Sequence, residues 1–504
     1  MIRRYRTHML IAALVAAAAF MIYCSGSSSV MQTASSSSQP TPSMGSVVVF
    51  GGDAPVCDVL SFVVTIQGAT LTPAGGGTPV SVLAAGPATS LDFAKLMDFS
   101  TVLNFASVPT GEYSTLTLAL GASPQLVVLD DTKSPPVTIS IPASLSTATI
   151  SIPIQPSLVV SSDSSAGLQI DFDLLKSVTT DANGQVTGQV HPVFVAVPSS
   201  ASSANGLGEV EQLSGQVQSV STASSNAAYT GSFTLTHADG TPPTTVYATS
   251  ATQYHFEAAQ VGGLSSLVAG IFVEVDAYVD ASGNLVAKEV ESEEMENSAE
   301  HKSAFLGLVT SVTRDAAGAV TQFTLFVSDE EPSESTMVPM KSTLTVNVAD
   351  STMFKITPDG VNEANLEFDP TTLGVGQAVV VHAQANAAGS AASPAPVTAK
   401  AIYLRLRSVV GNFKALLSAG SNGGGGAFSV TTCGSLFANQ PITVITFADT
   451  AFAGVSGLSA LTAQPTLVVK GLLFYVSQPM TVEGVPISAP GWVLEAKQVH
   501  QLNP

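Results

Sequence analysis

Ser214-Gly215-Gln216-Val217, Ala251-Thr252-Gln253-Tyr254, a strand-like run from Gly270, and Ala287-Lys288-Glu289-Val290 follow one another in a chain of 504 residues. The same marks return in the same order at Leu306-Gly307-Leu308-Val309, Ser351-Thr352-Met353-Phe354, Gly376 and Ala399-Lys400-Ala401-Ile402. A looser third copy shows them at Val410-Gly411-Asn412-Phe413, Asp449-Thr450-Ala451-Phe452, Gly471 and Ala496-Lys497-Gln498-Val499. A period of about 100 residues is domain-sized and too long for a solenoid unit, so the marks predict a tandem array of small domains.

Inside each copy the pattern is that of strands. From Gly270 the chain reads Ile271-Phe272-Val273-Glu274-Val275-Asp276-Ala277-Tyr278, which alternates apolar with polar and predicts Glu274 and Asp276 on the outward face. Asp280-Ala281-Ser282-Gly283-Asn284 reads as a hairpin turn, and Leu285 to Val290 as the last strand. Five or so strands in under about 100 residues predict a small closed barrel of oligonucleotide/oligosaccharide-binding type, with the ring of the Thr-x-aromatic mark in its core. The predicted barrels span 212–293, 304–404 and 408–501.

Upstream, residues 46–198 predict a β-sandwich. Val47-Val48-Val49-Phe50, Val59 to Ile66 and Tyr113 to Leu120 are β-branched or apolar runs punctuated by Gly, Pro and Asp. Leu91 to Leu103 is the one segment that predicts a short helix. Residues 199–211 read as a Ser/Ala/Gly linker to the barrels. The predicted fold class is therefore all-β: a β-sandwich followed by three small barrels.

At the N-terminus, Arg3, Arg4 and Arg6 precede an apolar run from Met9 to Tyr23, the layout of an export signal, too short to span a bilayer. Met21-Ile22-Tyr23-Cys24-Ser25-Gly26 resembles a bacterial lipobox, with Tyr23 standing where that motif has a small residue. Residues 1–24 are thus read as a signal peptide and Cys24 as a lipidation site. The Ser-rich stretch 25–45 is read as a flexible tether. The residues after Arg3-Arg4 do not fit a twin-arginine signal.

Three segments carry a resemblance to a known family: the strand leading to Asp53-Ala54-Pro55, the Gly111-Glu112-Tyr113 strand, and Asp171-Phe172-Asp173 followed by Ser177 and Pro192-Val193. They resemble an uncharacterised domain family of bacterial exported lipoproteins, which implies a β-sandwich at a cell surface and nothing catalytic. The three repeats resemble a second uncharacterised bacterial exported domain often found in tandem.

Charge and chemistry narrow the function classes. A net charge of −20, with 17 Lys and Arg in the whole chain, argues against nucleic acid as a partner. The seven histidines are scattered and none lies at metal-ligand spacing, so no metal or other cofactor is expected. No Gly-x-Ser-x-Gly elbow occurs. The three cysteines are too few for a disulfide framework, and Cys57 and Cys433 read as separate thiols.

Asp171 and Asp173 share a strand face and could share a cation or act as a carboxylate pair, but an outward polar face around a buried Phe172 is the favoured reading. The Asp-rich turns at Asp181, Asp280 and Asp315 lack the dense ligand pattern of calcium loops. The acidic run Glu289 to Glu300 reads as a solvated connection. Only Lys288, Lys400 and Lys497 are charged residues common to all copies, and they are the candidate ligand contacts.

The sequence thus predicts an exported cell-envelope protein, without enzymatic activity, at the outer membrane or cell surface, with a periplasmic or secreted protein as the alternative. Its partners would be the membrane, through the lipid, and a polysaccharide or envelope protein. A glycan-binding or glycan-processing surface protein is the rival reading.

Overall fold

A computed structural model describes residues 43–501 apart from 55–58, 84–88, 96–100, 131, 134–135, 163, 182–184, 200–205, 225, 237–242, 257–261, 293–302, 332–337, 339–340, 358–363, 365, 386–387, 391–392, 420–424, 433–435, 438–439 and 462–464. Cys24, Cys57, Cys433 and most of the acidic run from Glu289 to Glu300 lie outside these residues, as do the signal and the tether up to residue 42. The described chain is almost wholly β.

The first module is an eleven-stranded sheet. Its main path runs 101–109, 44–54, 165–173, 194–199, 149–160, 111–120, 59–73, 125–130 and 137–142, and two short strands, 80–83 and 89–92, also pair with 59–73. The two halves of the path meet where Ile154 pairs with Ala196, and the sheet folds there into a sandwich. One apolar core fills the space between the halves. Phe62 from one half stacks on Phe172 from the other with centroids 5.4 Å apart, and Phe93 and Phe194 close around them. The helix expected over Leu91 to Leu103 does not form. Strand 89–92 leads into a single 3₁₀ turn, Phe93–Lys95, and Thr101–Pro109 is an edge strand, because its backbone groups pair with those of strand 44–54.

Each repeat is a five-stranded barrel. The strands are 208–221, 231–236, 244–248, 272–279 and 285–292 in the first; 304–314, 320–331, 343–347, 378–383 and 397–404 in the second; and 406–418, 427–432, 441–453, 466–476 and 491–501 in the third. In all three the order around the barrel is one, two, three, five, four and back to one, with strands three and five parallel. That is the oligonucleotide/oligosaccharide-binding topology. Before strand four the first and third barrels each carry a 3₁₀ turn, Leu264–Ser266 and Leu458–Ala460.

The modules are fused through their cores. In strand 44–54, Val47 and Val49 enter the sandwich core, while Val48 and Phe50 enter the core of the first barrel. A strand buried on both faces must be apolar without alternation, which is how Val47-Val48-Val49-Phe50 reads. Gly208 lies under Phe50, and a Cβ there would come within 2.8 Å of the ring. Strand 208–221 therefore begins inside the segment expected to be linker, and Leu207 before it is 2% exposed.

The second and third barrels share one core. Leu472, Phe474, Val476 and Val493 point out of the third barrel into it, joined by Val482, Val485 and Ile487 from the hairpin between strands four and five. Gln377 of the second barrel, wholly buried, donates to the carbonyls of Leu473 (2.8 Å) and Thr372 (3.1 Å) and accepts from the amide of Gly374 (2.7 Å), so its amide is well satisfied.

Every arginine after residue 6 stands at such a seam. Arg314 donates to the carbonyls of Gly318, Thr371 and Leu373 and lies 4.7 Å over the ring of Tyr475 in the third barrel. Arg407 lies over Phe437, beside Gly376 of the second barrel; burial lowers its pKa to about 10, which leaves it charged at neutral pH. Arg405, 3% exposed, pairs with Glu274 of the first barrel. Glu274 does point out of its own barrel, as its alternation predicts, but into this contact.

Candidate functional site

The three candidate lysines occupy one structural position. Asp276 pairs with Glu289 and Ala277 with Ala287, so Lys288 is the extra residue of a β-bulge. Lys400 is skipped in the same way between Ala399 and Ala401, and Lys497 between Ala496 and Gln498. The third strand breaks at the same level, resuming as 253–256 in the first barrel and 353–356 in the second, and its pairing with strand five jumps from Val286 to Glu289, from Thr398 to Ala401 and from Ala496 to Gln498.

A threonine closes each gap. Thr252, Thr352 and Thr450 donate to the carbonyls of Ala287, Ala399 and Ala496 at 2.8, 2.8 and 2.7 Å. The same threonine hydroxyls accept from the amides of Thr249, Ala349 and Phe447 at 2.9, 3.0 and 2.8 Å. The shared Thr, Ala and Lys are thus parts of one backbone device, and the lysine is the residue that a bulge turns outward.

Two different costs follow. Thr252→Val keeps the shape but strips a buried carbonyl and an amide of their partner, and is expected to destabilise by about 1–3 kcal/mol in urea unfolding. Lys288→Ala removes an exposed pair with Glu209, at 45% and 28% exposure, and is expected to stay within about 0.5 kcal/mol.

The other sequence candidates serve local structure. Asp173 caps the turn Leu174–Ser177 by accepting from the Lys176 amide at 2.9 Å, and Phe172 between the two aspartates is fully buried. Asp280 and Asp315 each accept two amides of their own hairpin, and Asp181 accepts the amide of Gln185. Among the described residues no group of three or more His, Cys, Asp or Glu is placed to hold a metal, and no helix is long and apolar enough to cross a membrane.

What differs between the copies is the outer face beside the bulge. In the first barrel Tyr278, Val286 and Tyr247 stand in one row across strands four, five and three. Val286 faces outward yet is 1% exposed, so it must be covered, and the flanking tyrosines are placed to cover it. Tyr229, from the loop between strands one and two, packs on Tyr247 with centroids 4.6 Å apart. Its hydroxyl donates to Asp280 in the loop between strands four and five, and accepts from Asn284 Nδ2 at 2.9 Å. Burial, then the bond to Asp280, pushes the Tyr229 pKa up to about 12, so it remains a neutral donor. Lys288 and Glu209, the residue opposite Tyr278, border the row.

In the second barrel the matching row is Gln384, Thr398 and Asn347, with Asn347 bonded to Gln322 at 2.9 Å. In the third it is Leu472, Glu495 and Ile445, and here the second barrel covers it. One barrel face is thus aromatic and half-exposed, one is amide-lined, and one is buried between modules. Sequence reasoning looked for what the copies share and so missed the tyrosines, which only one copy has.

No curated protein matches this chain. A solved structure titled "drosophila Unr CSD456" is 10% identical over 57% of this chain and 96% of its own, with a TM-score of 0.13, too loose a likeness to carry any argument. Residues 44–187 match the family model described as "Domain of unknown function (DUF4382)" and residues 214–291 match "Domain of unknown function (DUF5666)", so the sandwich and the first barrel are two domains of unknown function in tandem.

Proposed function

We propose that the chain is an exported, lipid-anchored cell-envelope protein of structural or binding character, in which Cys24 carries the lipid and residues 25–42 tether a body that presents its surfaces to partners. The observation that carries this reading is the fusion of the modules. Strand 44–54 belongs to two cores, and the second and third barrels share a third core. Such continuity suits a load-bearing or display role better than a hinge-operated enzyme. Mass spectrometry of the mature N-terminus is expected to find a diacylated or triacylated Cys24, and an unmodified terminus beyond residue 24 would overturn the anchor.

Binding of a surface glycan is the second reading, favoured by the tyrosine row of the first barrel. Glycan processing has less support. Asp280 is committed to its hairpin amides and to Tyr229, and Asp173 caps a turn.

A further inference from the structure

We infer that the Tyr247–Val286–Tyr278 face of the first barrel binds a neutral saccharide, an assignment that rests on the glycan-binding reading and gives it a place and a ligand class. Tyr247 and Tyr278 lie on strands either side of Val286, roughly 10 Å apart at ordinary strand spacing. The valine between them is covered, both tyrosines are partly exposed, and Tyr229 packs against the Tyr247 ring. One face of a pyranose is a patch of C–H groups, which suits an aromatic ring, and its rim of hydroxyls needs donors and acceptors. The face offers both. Among the described residues neither the Tyr247 nor the Tyr278 hydroxyl has a hydrogen-bond partner, so both remain available to a ligand.

The third barrel shows what this position looks like when it docks another module. Leu472 and Ile445 replace the tyrosines there and are 0% and 1% exposed under the second barrel. Tyrosines, by contrast, keep a polar tip in water, as a polyhydroxylated ligand requires.

Charge selects the class of ligand. Asp280 and Glu209 border the face, the nearby Lys288 is paired with Glu209, and the chain carries −20 overall. Stacking alone would also accept nucleobases, but binding a phosphate backbone requires a basic groove.

The test is affinity electrophoresis of the purified full chain in gels containing hydroxyethylcellulose, galactomannan or xylan, with a labelled single-stranded oligonucleotide as a separate probe. At least one neutral polysaccharide is expected to retard the protein, and Tyr247→Ala and Tyr278→Ala are each expected to weaken that retardation about tenfold. Asn347→Ala, at the matching position of the second barrel, is expected to change nothing. Tyr247→Phe and Tyr278→Phe, which keep the rings and so keep the fold but lose the hydroxyls, are expected to weaken the retardation by less than the alanine variants do. Retardation that survives both alanine variants would overturn this site while leaving glycan binding elsewhere on the molecule. No retardation in any gel would overturn the site and the glycan reading together, and binding of the oligonucleotide in place of the polysaccharides would overturn the ligand class.

Discussion

Phe50→Ala is expected to lower the stability of the protein by about 3–5 kcal/mol, the usual cost of truncating a fully buried phenylalanine, and to uncouple the first barrel from the sandwich. Phe50 is 1% exposed, and it stands in the barrel core while its neighbours Val47 and Val49 stand in the sandwich core. Gly208 lies directly beneath the ring, so the barrel strand has no side chain of its own to fill the space left behind. The cavity would open at the seam. Calorimetry should therefore resolve a new low-temperature transition, and amide exchange should rise in strand 208–221 while strands 111–120 and 149–160 stay protected. Val49→Ala makes the control, because it removes apolar volume from the same strand on the other face and should loosen the sandwich without freeing the barrel. Identical exchange patterns in the two variants would show that the strand does not divide its faces between two cores.

The repeats, the barrel topology and the turns were legible in the sequence because each depends on contacts close along the chain or repeated at a fixed period. Even the looser third copy keeps Thr450, Ala496 and Lys497 in register with the other two, and all three residues serve the same bulge. The lysines were the residues that packing did not readily explain from sequence. A bulge explains them, since it adds a residue whose side chain the pleat does not have to bury. Fusion between modules was harder to read. The unbroken run Val47 to Phe50 read only as a strand, and nothing in it names Leu207 and Val210 as partners on its second face. Glu274 shows the same limit, because alternation says only that a residue leaves its own barrel. The tyrosine face was hidden for another reason: Tyr229, Tyr247 and Tyr278 are brought together by loops and strand order, and form no motif along the chain.

Arg405 provides the sharpest probe of how the first barrel meets the others. Its guanidinium pairs with Glu274, 131 residues away in sequence, and the two side chains are 3% and 13% exposed. Directly opposite Glu274 on the next strand is Glu291, and Asp276 likewise faces Glu289, so this side of the barrel sets carboxylates in like-charged pairs. His255 meets Glu289 at 2.8 Å, and Arg405 is the strongly basic group brought to Glu274. Removing one member of a buried pair costs far more than the pair itself contributes, because the remaining charge stays in a poorly solvated place. Arg405→Met is therefore expected to destabilise by about 3–5 kcal/mol, with little relief from salt because screening barely reaches a buried pair. Glu274→Met in the same chain should restore most of the loss, since an apolar contact of similar volume can replace a buried ion pair. A single-variant cost below about 0.5 kcal/mol, or one abolished by 1 M salt, would mark the contact as an ordinary surface pair. A cost of the expected size with no recovery in the double variant would mean that Arg405 acts through its packing at the junction between Leu404 and Leu406, rather than through the carboxylate it meets.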